Sequence, residues 1–107
     1  MKKESEFQAG LVKEIPKRIP GSIVIKNDPE SLNGVPDLTI FYEDTWAWLE
    51  VKRDGKASKR ALQPYYVDWA RQRSFGSFIS PENKEEVLDE LERSFRSHRK
   101  TRISKPK

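Results

Sequence analysis

The run Trp46-Ala47-Trp48-Leu49-Glu50-Val51-Lys52 is apolar almost to its end. Read as a strand, its side chains alternate between the two faces of a sheet. Trp46 and Trp48 then line one face, and Ala47, Leu49 and Val51 line the other. Apolar residues on both faces put such a strand in the middle of a sheet that is covered on both sides. Glu50 and Lys52 share one face at the end of this strand, where unpaired charge is costly.

The flanking sequence supplies the rest of a layered α/β domain. Glu4 to Ile15 reads as a first helix, because Phe7, Leu11 and Ile15 recur at i, i+4, i+8 with Val12 beside them. Pro16 is expected to stop or kink it. Ser22 to Lys26 is a β-branched first strand, and Asn27 to Pro36 has the composition of a loop. Asp37-Leu38-Thr39-Ile40-Phe41-Tyr42 forms a second strand, and Glu43-Asp44-Thr45 turns the chain into the third. Arg53 to Arg60 reads as an exposed loop. A second helix follows from about Ala61 to Arg73, with Pro64 in its first turn and Leu62, Tyr65, Tyr66 and Trp69 on its packed face. Phe75 to Ile79 is a fourth strand. Ser80 is a candidate N-cap, with Pro81 at the first position of a third helix striped by Val87, Leu88, Leu91 and Phe95. The expected order is αβββαβα in one domain, residues 1–95. Residues 96–107 are expected to be a disordered basic tail.

Composition bounds the chemistry. The 107 residues contain no Cys and one His, so thiolate and His-based metal sites are excluded or improbable. No segment resembles a signal peptide or a membrane span, and a cytoplasmic protein without membrane partners is the default expectation. The net charge of +4 is unevenly placed: residues 96–107 hold six basic residues and no acid, and the remainder holds 15 basic against 17 acidic. Such a tail suits the phosphates of nucleic acid, although a solvated tail is the plainer alternative.

Antiparallel pairing of the second and third strands would set Asp37 beside Glu50 and Lys52. Two carboxylates and an ammonium at one end of a sheet suit a hard divalent cation and a phosphate. Each residue also has a plainer role, Asp37 in a turn and Glu50 with Lys52 as a surface ion pair.

Pro36-Asp37, then twelve residues, then Glu50-Val51-Lys52, with an acidic helix before and Gln63 after, resembles the PD-(D/E)xK nuclease superfamily. Within it, the small stand-alone VRR-NUC and Holliday-junction-resolvase-like enzymes are most similar, over roughly residues 4 to 80. The resemblance implies a restriction-endonuclease-like αβββαβ core, a mixed central sheet flanked by helices, here with a C-terminal helix added. It implies an Mg²⁺- or Mn²⁺-dependent DNA endonuclease with Asp37, Glu50 and the Val51 carbonyl as metal ligands. Lys52 would orient the attacking water or offset charge on the phosphate, and Gln63 would hold a phosphate oxygen or orient Lys52. The family also carries an acid on its first helix. Glu4 and Glu6 are the candidates here; they differ by about 160° around the helix, and Glu4, over the apolar stripe, is expected to face the sheet as the catalytic and metal-site acid, with a simple role at the helix N-terminus as the plainer alternative.

Lys56, Lys59 and Arg60 in the loop, and Arg96, Arg99, Lys100 and Arg102 in the tail, are candidate DNA contacts. No base-reading module is visible, so a substrate recognised by shape, branched or junction DNA, is expected, and the resemblance points to phage or mobile-element recombination and repair. Symmetric junction cutting needs two sites and hence a homodimer. The rival expectations are a catalytically silent nucleic-acid-binding protein of the same fold and an interaction protein whose charges are ion pairs.

Overall fold

The computed structural model describes the backbone of residues 3–56 and 65–104, and the side chains of 3–56 and 65–97. The elements follow the order αβββαβα: α1 (Glu4–Arg18), β1 (Ile23–Lys26), β2 (Leu38–Tyr42), β3 (Thr45–Val51), α2 (Tyr65–Arg73), β4 (Phe75–Ile79) and α3 (Lys84–Ser104). The four strands form one sheet in the order β1-β2-β3-β4. β1, β2 and β3 are antiparallel, and β4 lies parallel to β3. A parallel neighbour needs a crossover, and α2 lies on that crossover. The protein is therefore an α/β fold with a mixed four-stranded sheet and helices on both faces.

One face carries the main core. Leu38, Ile40, Leu49, Val51 and Ile79 are fully buried there against Phe7, Leu11 and Ile15 of α1 and Leu88, Leu91 and Phe95 of α3. The helices are also clamped to each other: Arg18 pairs with Glu85, Asp89 and Glu92, and Lys84 with Glu14 at 2.8 Å. The opposite face is covered in part. Its residues are Ile23 and Ile25 of β1, Thr39 and Phe41 of β2, and Trp46, Trp48 and Glu50 of β3. α2 lies over the β3–β4 half, while Ile23 (60% exposed), Ile25 and Phe41 stay open to solvent. Among the described residues, no helix is long and apolar enough to cross a membrane.

Three expectations are corrected. Helix α1 does not stop at Pro16 but continues to Arg18. Proline removes one donor and disfavours the helix, but Ile15 and Ile19 are buried on either side of it, and Ile19 N donates to Ile15 O at 2.8 Å. Packing outweighs the missing bond. Ser80-Pro81 does not open the last helix, which begins at Lys84. Asn83 folds back instead: its Oδ1 accepts the Ser80 N–H at 2.8 Å and its Nδ2 donates to Phe78 O at 3.3 Å. These bonds hold residues 81–83 as a turn. The helix also does not end at Phe95 but runs to Ser104. Residues 96–104 contain neither Gly nor Pro, and Glu92–Arg96 adds an i,i+4 pair.

Gly76 fixes the height of α2 above the sheet. A Cβ built there would collide with Val67 O and lie 2.9 Å from Ala70 Cβ and 3.0 Å from Arg71 N. Only glycine lets the helix backbone sit so close. Gly76→Ala is expected to destabilise the protein by about 1–3 kcal/mol through overpacking. The denaturant midpoint should fall with the slope unchanged; an unchanged midpoint would show that α2 is free to lift.

Candidate functional site

The β2–β3 register opposes Leu38 to Leu49 and Thr39 to Trp48. One step beyond the ladder, Asp37 comes beside Glu50. Their side chains share the face of Thr39 and Trp48, away from the main core. Asp37 Oδ2 accepts the Val51 N–H at 2.8 Å, which ties the carboxylate to the end of β3. Lys52 Nζ lies 3.2 Å from Glu50 Oε2, and the two side chains are only 20% and 17% exposed. On its other side the strand end is held by Lys52 N, which donates to Ile79 O at 2.8 Å.

A chain of hydrogen bonds delivers Asp37 to this place. Trp48 Nε1 donates to Thr39 Oγ1, Thr39 Oγ1 donates to Asn27 Oδ1, and Asn27 Nδ2 donates to Pro36 O, each at 2.9 Å. Asn27 N also donates to Asp37 O at 2.8 Å, extending the β1–β2 ladder by one pair. The loop between them turns at Gly34, whose φ of 87° suits glycine alone. Asn27, Thr39 and Trp48 are positioning residues that a reading of the sequence missed. Their signal was present: Asn27 falls opposite Asp37 once the strands are registered, and Thr39 faces Trp48.

The cluster is short of positive charge. Glu50 is pushed up to about 7, chiefly by burial and then by the negative charge of Asp37, with Lys52 and the Asp37 backbone pulling the other way. Two crowded carboxylates against one ammonium are an arrangement that a hard cation would relieve, and oxygen donors are what Mg²⁺ and Mn²⁺ prefer. Asp37 and Glu50 would hold such an ion. Val51 could contribute only its carbonyl, since its N–H is taken by Asp37 and its side chain is buried on the other face.

The remaining candidates are not gathered here. Glu4 is exposed at the start of α1, which packs on the opposite face of the sheet. Among the described residues no group of three or more acidic or His side chains could hold a metal. Glu6 is engaged as a helix cap, its Oε1 accepting the Lys3 N–H at 3.3 Å. Lys56 is exposed a few residues beyond Lys52. Gln63, Lys59 and Arg60 lie outside the described residues. Arg96 pairs with Glu92 beside Phe95, which stacks on Tyr42 at 5.3 Å. Tyr42 is at the far end of β2 from Asp37, roughly 17 Å away at the usual strand rise. Arg99, Lys100 and Arg102 continue α3 beyond that end, and their side chains are outside the described set.

Comparison of the chain with protein-family models, with curated proteins and with solved structures finds no match.

The raised Glu50 has a stability consequence. Its folded-state value exceeds the ordinary 4.5, so the folded chain keeps a proton that the unfolded chain has lost. Stability from this group therefore falls as pH rises from about 4.5 to about 7. Glu50→Gln removes the penalty. In the presence of EDTA the variant should exceed the wild type by about 2 kcal/mol at pH 8 and match it near pH 4. A less stable variant at pH 8 would mean that the pair with Lys52 outweighs burial.

Proposed function

We propose that the protein is a divalent-metal-dependent DNA endonuclease of the PD-(D/E)xK kind, built on a restriction-endonuclease-like core. The observation that carries this reading is the meeting of Asp37 and Glu50 across the β2–β3 ladder, with Lys52 on the same face 3.2 Å from Glu50. The expected αβββαβ order and the mixed sheet support it.

In this reading Asp37 and Glu50 hold Mg²⁺ or Mn²⁺. The chemistry supplied by the bound ion is charge neutralisation on the phosphate and a more acidic attacking water. Lys52, held by Glu50, faces the same space and can orient that water or offset charge developing on the phosphate. The bond from Val51 N–H keeps the Asp37 carboxylate in place without spending a side chain on it. Branched or junction DNA remains the favoured substrate, because no described element offers a base-reading helix. A homodimer would supply the second site that symmetric cutting requires, and the open face formed by Ile23, Ile25 and Phe41 is apolar surface it could cover.

One observation favours a second reading, a nucleic-acid-binding protein without catalysis. Asp37 and Glu50 each already have a partner, and among the described residues no third acid joins them. Cleavage assays on supercoiled, linear and four-way-junction DNA with Mg²⁺ or Mn²⁺ separate the two. Glu50→Gln and Asp37→Asn are each expected to abolish cleavage and to leave DNA binding largely intact. Cleavage by either variant at the wild-type rate would remove the proposed site.

The basic segment makes a separable contribution. Its start beside Tyr42, at the far end of the sheet, suits contact with DNA well away from the scissile phosphate. Deleting residues 98–107 should leave the domain folded, since among the described residues the last core residue of α3 is Phe95. It should flatten the dependence of log affinity on log salt by about 0.9 per lost duplex phosphate contact. Equal slopes for full-length and truncated protein would assign the electrostatic contacts elsewhere.

A further inference from the structure

Sequence periodicity puts Tyr65 on the packed face of α2, but the structure leaves it 65% exposed. The buried side of the helix is formed by Val67 and Ala70 over Gly76. Tyr65 therefore falls on the outer flank, where it joins Asp68, Trp69, Gln72 and Arg73 around an open groove of about 340 Å³.

The groove has a rigid aromatic floor. Trp69 stacks on Trp48 at 5.6 Å and touches Trp46 at 5.8 Å, while Tyr66 meets Trp48 edge-on at 5.9 Å. Tyr65 packs edge-on against Tyr66 at 4.9 Å and presents the rest of its ring to solvent. The Arg73 guanidinium carbon lies 4.3 Å from the Trp69 ring centroid, and its Nη1 donates to Trp69 O at 3.0 Å. Of the two remaining polar groups, Asp68 is paired with Arg71 at 2.8 Å, and Gln72 is exposed with its amide available. A flat aromatic ring, a planar guanidinium held over a second ring and a free amide are the elements that stack a nucleobase and pair with its edge. An aliphatic partner would not need them.

The groove also lies beside the candidate site. Tyr66 packs on Trp48 at the middle of β3, whereas Ser74, just past the helix, bonds Thr45 and Trp46 at its start. Helix α2 thus runs antiparallel to β3, and its Tyr65 end is the end nearest Glu50. Tyr65, Trp69 and Arg73 follow at successive turns, about 6 Å apart. We propose that this stripe stacks unpaired nucleotides of a DNA strand whose backbone passes Glu50 and Lys52. The substrate class is then DNA with a single-stranded segment, such as a flap, a gap or a splayed arm. The direction of the strand rests on the nuclease reading; the stacking itself does not.

The test exploits the tryptophans. All three, Trp46, Trp48 and Trp69, belong to this cluster, so their fluorescence reports on the groove. The full-length protein is titrated in EDTA with oligothymidylate and, separately, with blunt duplex of equal length. Oligothymidylate should quench the tryptophans and the duplex should quench them less. Tyr65→Ala should weaken oligothymidylate binding about 5- to 100-fold, as loss of one stacking ring does. Arg73→Ala should weaken it as well, and Tyr65→Phe should restore it. Near-ultraviolet dichroism confirms that the exposed substitution leaves the cluster folded. Absence of quenching, or Tyr65→Ala binding within twofold of wild type, would overturn the proposal. Because EDTA removes the metal, cleavage plays no part: binding without cleavage activity would sink the nuclease reading alone, and cleavage with an inert stripe would sink this one alone.

Discussion

The pairing of Leu38 with Leu49 decides where every other important group lies. A slip of one residue would exchange the two faces of β2, turning Leu38 and Ile40 out of the core. Asp37 would then point at α1 and α3 rather than at Glu50. The register is held from both sides. Leu38, Ile40, Leu49 and Val51 are fully buried, and each such side chain is worth about 1.5–3 kcal/mol of burial. On the other face, the Trp48–Thr39–Asn27–Pro36 chain of hydrogen bonds fits one register alone.

That stability supports an arrangement that is itself unfavourable. Glu50 is desolvated and crowded by Asp37, and one ammonium does not balance two carboxylates. A strand end chosen for stability would carry a neutral residue there. Local departures of this kind are tolerated where the surrounding structure over-determines the geometry, and they cluster at functional sites. Here the surrounding structure is the β2–β3 pair at the centre of the sheet, with Leu38, Ile40, Leu49 and Val51 fully buried. The aromatic groove next to it shows the same departure in another form, with a large ring left in water beside a well-packed cluster.

Much of this was legible in the sequence because period and punctuation agreed. The two-faced apolar run predicted a central strand, and β3 is flanked by β2 and β4. The helix stripes at Phe7, Leu11 and Ile15 and at Val87, Leu88, Leu91 and Phe95 are buried as expected. The convergence of Asp37, Glu50 and Lys52 followed from counting along two paired strands. What stayed hidden depended on tertiary contacts. Pro16 sits inside a helix because Ile15 and Ile19 are buried around it, and Ser80 is no cap because Asn83 bonds back to it. Tyr66 and Trp69 of α2 pack on Trp48 as expected, but Tyr65 stays outside, because Gly76, a residue without a side chain, lets Val67 and Ala70 take the innermost positions. Asn27 and Thr39 gain their importance only through partners twelve and nine residues apart in sequence.

The central claim is that Asp37 and Glu50 form one cation site, and Mn²⁺ binding without DNA tests it most directly. Calorimetric or spin-resonance titration of the full-length protein at pH 7.5 should show a saturable site on each chain. Asp37→Asn and Glu50→Gln should each lose it while remaining folded. Equal Mn²⁺ uptake by the wild type and both variants, or no uptake by the wild type, would contradict the account and leave Asp37, Glu50 and Lys52 as a buried ion-pair cluster.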